Sequence, residues 1–209
     1  MNTSADPHAI CNIPQLESLF GPVGEASIRK EVSFVHPHYR ALIEASPFAV
    51  LATCGPDGLD ASPRGDPAGF VQIADDSTLL LPERRGNNRV DSLRNIITDP
   101  RVALIFLIPG VGETLRVNGR ASITTAPDTL ARFTVQGQLP KCVLVIKVDT
   151  VFFQCARAIQ RSGLWQPPPP GVRAGLPSVG TILQALTASG IDGEKYDREL
   201  PARQRATLY

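Results

Sequence analysis

Residues 48–66 read FAVLATCGPDGLDASPRGD, and this stretch decides the fold class. Phe48 to Cys54 is a continuous apolar run, Gly55-Pro56-Asp57-Gly58 is a turn, and Leu59 to Pro63 returns, so the segment reads as a β-hairpin. Working outward, Phe70 to Ile73 and Thr78 to Leu81 are two further short strands around the turn Ala74-Asp75-Asp76-Ser77. RVALIFLI at 101–108 is a buried strand turned by Pro109-Gly110. Thr114 to Thr124 alternates loosely as a long strand, and CVLVIKVDTVFF at 142–153 is the last one. Parallel strands need crossovers of a dozen or more residues, and only two linkers here are that long. The six or seven strands therefore predict a mainly β fold, an antiparallel barrel with peripheral helices.

Helices fill the gaps. Pro14 to Phe20 and a stretch opened by His36-Pro37-His38-Tyr39 and running through Ala45 are short helices; Tyr39, Leu42 and Ile43 share a face and Pro47 stops the second. Ser27 to Ser33 reads as a turn or strand. Asn88 to Thr98 is amphipathic, with Val90, Leu93, Ile96 and Ile97 on one face and Asn87 or Asn88 as its N-cap. Pro127 opens a helix whose inner face is Leu130 and Phe133, Cys155 to Leu164 is a short helix or loop, and Val179 to Ala188 is a small terminal helix. Pro167 to Pro170 runs as stiff polyproline II.

The 209 residues amount to one domain or one domain with extensions. Lys plus Arg is 21 and Asp plus Glu is 20, so no global field draws the chain to nucleic acid or a membrane surface. The longest apolar runs are about eight residues, too short to span a bilayer. The first 20 residues contain Asp and Glu and lack a basic head followed by an apolar run, so no secretory signal is read. Four Cys without a CxxC pair argue against a disulfide scaffold or zinc site, and the cytoplasm is the expected compartment. There is no HExxH, GxSxG or GxxxxGK[ST] motif.

Four segments carry candidate chemistry. Leu81-Pro82-Glu83-Arg84-Arg85-Gly86-Asn87-Asn88-Arg89-Val90-Asp91-Ser92 joins a strand end to a helix start. Free N–H groups at a helix start beside clustered arginines make a phosphate site without a glycine-rich loop; the same residues also suit a solvated basic turn. Arg64, just past an apolar strand, either reaches a ligand or pairs with Asp66. Thr114, Arg116 and Asn118 share one side of a strand, facing solvent or a site. Trp165, the single Trp, is core, interface or a stacking surface for a planar ligand.

The succession FAVLATCGPDGLDASPRGD, LLLPERRGNNRVDSLRNIITDPRVALIFLIPG and ETLRVNGRASIT, covering roughly residues 38–165, resembles the flavin-binding split-barrel proteins related to pyridoxamine 5'-phosphate oxidase. That resemblance implies a six-stranded antiparallel Greek-key split barrel and a homodimer with FMN at the interface. Residues 1–37 and 166–209 are then extensions. It implies that Arg64, Asn88 and Arg89 hold the phosphate and that the backbone of Leu81 and Pro82 lies along the isoalloxazine; Arg85 and Ser92, in the same basic segment, are further cofactor-binding candidates. Thr114 and Arg116 fall where the partner subunit's strand meets the flavin, and Trp165 near where a late Trp approaches it. The oxidase proper carries a basic, aromatic set for pyridoxal phosphate and an Arg-x-His near its C-terminus. Here residues 132–137 (RFTVQG) and the last nine residues supply neither, so vitamin B6 oxidase activity is not expected. The functional expectation is an FMN-dependent oxidoreductase acting on a small substrate. The alternatives are a non-catalytic flavin or tetrapyrrole carrier, or a deazaflavin-dependent reductase.

Overall fold

The computed structural model describes Asp6 and residues 8–209. In chain order its elements are α1 (Ile13–Phe20), α2 (Glu25–Arg29), α3 (Pro37–Ala45), β1 (Phe48–Gly55), β2 (Gly58–Gly65), β3 (Gln72–Asp75), β4 (Thr78–Glu83), α4 (Asp91–Thr98), β5 (Arg101–Leu107), β6 (Thr114–Thr124), α5 (Pro127–Ala131), β7 (Cys142–Gln154), α6 (Arg157–Ser162), α7 (Val179–Leu186) and α8 (Gly193–Ala206). The expected N-terminal extension is described only from Asp6, with residue 7 outside the described set.

All strand pairs are antiparallel, and the order is β2-β1-β5-β6-β7-β4-β3. The sheet is thus seven-stranded and open at β2 and β3, a correction to the six-stranded barrel that the resemblance implies. β3 is a short edge strand whose register slips between Ile73 and Asp75. β2 runs through Pro63 to Gly65, beyond its expected end. An edge strand tolerates Pro63 because no outer neighbour needs its missing N–H.

The core follows from alternation. Ala49 and Leu51 of β1, Val102, Leu104 and Phe106 of β5, Leu115 and Val117 of β6, and Leu144 and Ile146 of β7 point to one buried face. Ile43 of α3 and Ile96 of α4 close it. Each Val, Leu, Ile or Phe of this set, fully buried, contributes about 1.5–3 kcal/mol. A smaller cluster of Leu80, Phe133 and Val143 lies beneath α5. Two glycines fix the packing. A Cβ on Gly119 would sit 2.3 Å from the Lys147 carbonyl oxygen, at the bulge where β6 and β7 shift register. A Cβ on Gly55 would sit 2.0 Å from Oδ1 of Asn95, so Gly55 lets α4 lie close on β1, where Asn95 Nδ2 donates to Thr53 Oγ1 at 3.0 Å.

Several local expectations change. Glu25–Arg29 is helical where a turn or strand was expected, and α8 is an additional 14-residue helix. α4 begins at Asp91 rather than Asn88, and its N-cap position is Val90, which makes no side-chain cap bond. Asn87 spends its side chain differently: its Oδ1 accepts from the Arg89 N–H at 3.1 Å.

Candidate functional site

Alternation along β2 places Asp60, Ser62 and Arg64 on one face. Opposite them stands the loop from β4 to α4, and Lys141 approaches from just before β7. Together they line a cleft of about 510 Å³. That lies within the roughly 300–1,000 Å³ of ordinary small-molecule sites.

The loop reaches α4 through a strained path. Asn88 has φ 60° and Val90 has φ 53°. Asn tolerates the left-handed region; a β-branched Val there costs about 1–3 kcal/mol. Such strain collects at ligand clamps. Because Val90 offers no cap, the N–H groups of Asp91, Ser92 and Leu93 have no acceptor among the described residues. Those amides and the helix dipole favour an anion at this end. Ser92 Oγ donates to Asp60 Oδ2 at 2.7 Å, tying the helix start to β2.

Five cationic side chains line the cleft, Arg64, Arg84, Arg85, Arg89 and Lys141, against four carboxylates, Asp60, Asp66, Glu83 and Asp91. One positive charge is in excess. Arg64 Nε donates to Glu83 Oε1 at 2.7 Å and its Nη1 to Ser62 Oγ at 2.6 Å. Arg84 Nε donates to Asp66 Oδ2 and its Nη1 to the Phe133 carbonyl, both at 2.7 Å. Of the two alternatives for Arg64, the pair with Asp66 does not form: each residue pairs with a neighbour on the other wall instead, and the two ion pairs stitch β2 to the end of β4. Arg89 Nε donates to Asp91 Oδ2 at 2.8 Å, and this exposed pair raises the guanidinium further above its ordinary value. Arg85 and Lys141 have no carboxylate within 4.0 Å among the described residues. Behind the cleft wall, burial pushes the Cys142 thiol up, and the charge of Glu83 adds to the effect.

The cleft brings together Arg64, Pro82, Arg85, Asn88, Arg89 and Ser92. Leu81 stands behind it, with its side chain wholly in the core. Thr114, Arg116 and Trp165 lie elsewhere in the chain. The register Arg64↔Ala49↔Phe106↔Leu115 puts the start of β6 three strands away, about 14 Å along the sheet at ordinary strand spacing. Thr114 is buried rather than sharing an open polar side with Arg116. Arg116 lies over the Phe152 ring at 4.8 Å, and Trp165 Nε1 donates to the Val111 carbonyl at 2.7 Å. Sequence reasoning missed Asp60, Ser62 and Lys141 as cleft residues. The i, i+2, i+4 spacing of Asp60, Ser62 and Arg64 on a strand carried that signal for the first two.

The family model for pyridoxamine 5'-phosphate oxidase matches residues 35–155, more than half of the chain. Among solved structures, HupZ of Group A Streptococcus is 20% identical, with 57% of this chain and 94% of that one covered and a TM-score of 0.48. A provisional pyridoxamine 5'-phosphate oxidase from Lactobacillus delbrueckii is 21% identical, covering 58% and 95%, with a TM-score of 0.45. A protein from Clostridium acetobutylicum related to general stress protein 26, of the pyridoxinephosphate oxidase family, is 11% identical, covering 56% and 86%, with a TM-score of 0.43. No curated protein matches. No helix among the described residues is long and apolar enough to cross a membrane.

Proposed function

The chain belongs to the pyridoxamine 5'-phosphate oxidase family, and from that premise we propose that it is an FMN-binding flavoprotein, an FMN-dependent oxidoreductase acting on a small organic substrate. The observation that carries this reading is the convergence of Arg64, Arg85, Asn88 and Arg89 with three open amides of α4 in one cleft. Charge-assisted bonds from planar guanidinium groups and backbone N–H groups suit a phosphate monoester. The donor set therefore fits the cofactor. Arg85 and Lys141 offer charge without first releasing a carboxylate, whereas Arg64 and Arg89 must share theirs. Ser92 and Asp60 hold the helix start in place. Pro82 borders the cleft as apolar wall for a flat ring.

The chemistry supplied by bound flavin would be hydride acceptance from a small organic substrate or a reduced nicotinamide. The chain's own part is to anchor, orient and exclude water. No His, Cys or Tyr is among the cleft-lining residues. That observation favours, as a second reading, a flavin or tetrapyrrole carrier without turnover; anaerobic reduction of the bound flavin by NADH or NADPH separates the two, and deazaflavin competition tests the third option. Residues 38–165 form the flavin domain in this proposal, with 1–37 and 166–209 as extensions of a cytoplasmic homodimer. Thr114, Arg116 and Trp165, remote from the cleft of their own protomer, would serve the partner subunit's flavin. The direct test is an absorbance spectrum of the protein as isolated, with mass identification of what denaturation releases. A yellow protein releasing FMN supports the proposal; a colourless one that ignores added FMN overturns it.

A further inference from the structure

The C-terminal extension returns the chain to the cleft. Tyr209 Oη donates to Asp66 Oδ1 at 2.9 Å across 143 positions of sequence. The Arg84 guanidinium lies 5.4 Å from the centre of the Tyr209 ring. Asp66 and Arg84 both border the cleft and pair with each other. The Asp66 side chain is only 3% exposed, so its two oxygens depend on these donors, one charged and one neutral. Tyr209 stands well beyond residue 155, where the family match ends. The helices before it pack on each other: a Cβ on Gly180 would fall 2.0 Å from the Gly193 carbonyl oxygen, and Asp197 accepts from the Gly180 N–H at 2.8 Å and from the Ser178 hydroxyl. Residues 207–209 thus form an arm from that helix pair to the cleft wall.

We infer that Tyr209 is a positioning residue of the cleft, a latch that holds Arg84 on Asp66 and so fixes the charge at that end of the site; its effect on ligand rests on reading the cleft as the flavin site. The phenol satisfies the Asp66 oxygen that Arg84 leaves open, and its ring packs along the guanidinium. With the phenol gone, Asp66 keeps an unfilled oxygen and Arg84 a looser aim. The Asp66 hydrogen bond, with burial and the Asp66 charge in support, raises the phenol above its ordinary range. Tyr209 faces Asp66 and Arg84, and the repulsion between a phenolate and Asp66 opens the latch at alkaline pH.

The test is hydrogen exchange on the full-length wild type and on Tyr209→Phe and Tyr209→Ala, with FMN titration of the same samples. Opening of the 207–209 arm and the last turn of α8 increases ~10-fold in Tyr209→Phe, the size expected for one lost bond to a charged group, and further in Tyr209→Ala. FMN affinity falls several-fold in both. Once the intrinsic base catalysis of exchange is divided out, opening of the wild-type arm increases at a pH above the ordinary tyrosine range of about 10, and Tyr209→Phe lacks that step. Unchanged exchange and an unchanged pH profile in Tyr209→Phe overturn the latch. Altered exchange with unaltered FMN affinity overturns the positioning role. A wild type that ignores FMN while its arm responds as expected sinks the flavin reading and leaves the latch standing.

Discussion

Replacing Arg89 by alanine probes the proposed phosphate cradle where its electrostatics are most exposed. Arg89 and Asp91 pair at 2.8 Å with side chains 76% and 43% accessible. The pair itself is worth little to stability at that exposure. Its weight lies in ligand binding, because Arg89→Ala takes away a donor and leaves Asp91 facing the phosphate without its counter-charge. The cleft's single excess positive charge also disappears. Loss of one charge-assisted bond to the ligand predicts a rise in Kd of roughly 10-fold or more. Asp91→Asn acts in the opposite direction: it frees Arg89 and removes a repelling carboxylate, so FMN binds equally or more tightly. The double variant then loses less than Arg89→Ala alone, since much of the single loss comes from the stranded carboxylate. Quenching of flavin fluorescence, titrated at two salt concentrations, reads all four proteins. The differences shrink at high salt because exposed charges are screened. Wild-type affinity in Arg89→Ala, or equal losses in Arg89→Ala and Asp91→Asn, would refute this reasoning.

Other perturbations follow from the same geometry. Arg64→Ala strands Glu83, whose side chain is 13% accessible; thermal unfolding should report a loss of about 2–3 kcal/mol, partly restored by Glu83→Gln, and an unchanged Tm contradicts the pairing. Gly119→Ala drives a Cβ into the Lys147 carbonyl and should cost about 1–3 kcal/mol, with denaturant midpoints as the check. Thiol labelling of the native protein should modify exposed Cys11 and Cys155 and spare Cys142, buried with its thiol pushed up, until unfolding; early labelling of Cys142 would contradict that burial. The Asp99 carboxyl, held to about 2 by hydrogen bonds from the Arg101 side chain and backbone, is depressed below its ordinary 3.8. Its contribution is therefore present above that ordinary value and lost as pH falls through about 2, a loss that Asp99→Asn should abolish in acid titrations of the native state.

The strands were legible because their signals are local. Apolar runs such as residues 101–108 and 142–153, punctuated by Pro-Gly and Asp-Gly turns, specify buried antiparallel strands on their own. α8 was not, because its residues 193–206 are charged all round and include Pro201; it is anchored by the Gly180–Gly193 approach, a contact between distant positions. The start of α4 misled for a similar reason. An Asn before an amphipathic run is an ordinary cap signal, yet the loop turns through left-handed backbone at Asn88 and Val90 and leaves the amides bare. The basic cluster at 84–89 was readable as a charged junction, and it lines the cleft; the partners of its arginines were not readable. Glu83 is 19 positions from Arg64 and Asp66 is 18 from Arg84, separations at which only the curl of the sheet decides who meets whom. Tyr209 on Asp66 is the extreme case.

Calorimetric titration of the unliganded protein with FMN and, in parallel, with riboflavin isolates the cradle, since the two ligands differ only by the phosphate. Two or more charge-assisted bonds to that group predict FMN tighter by roughly 100-fold or more. Equal affinities, or no heat from either ligand, would mean that the α4 junction grips no phosphate.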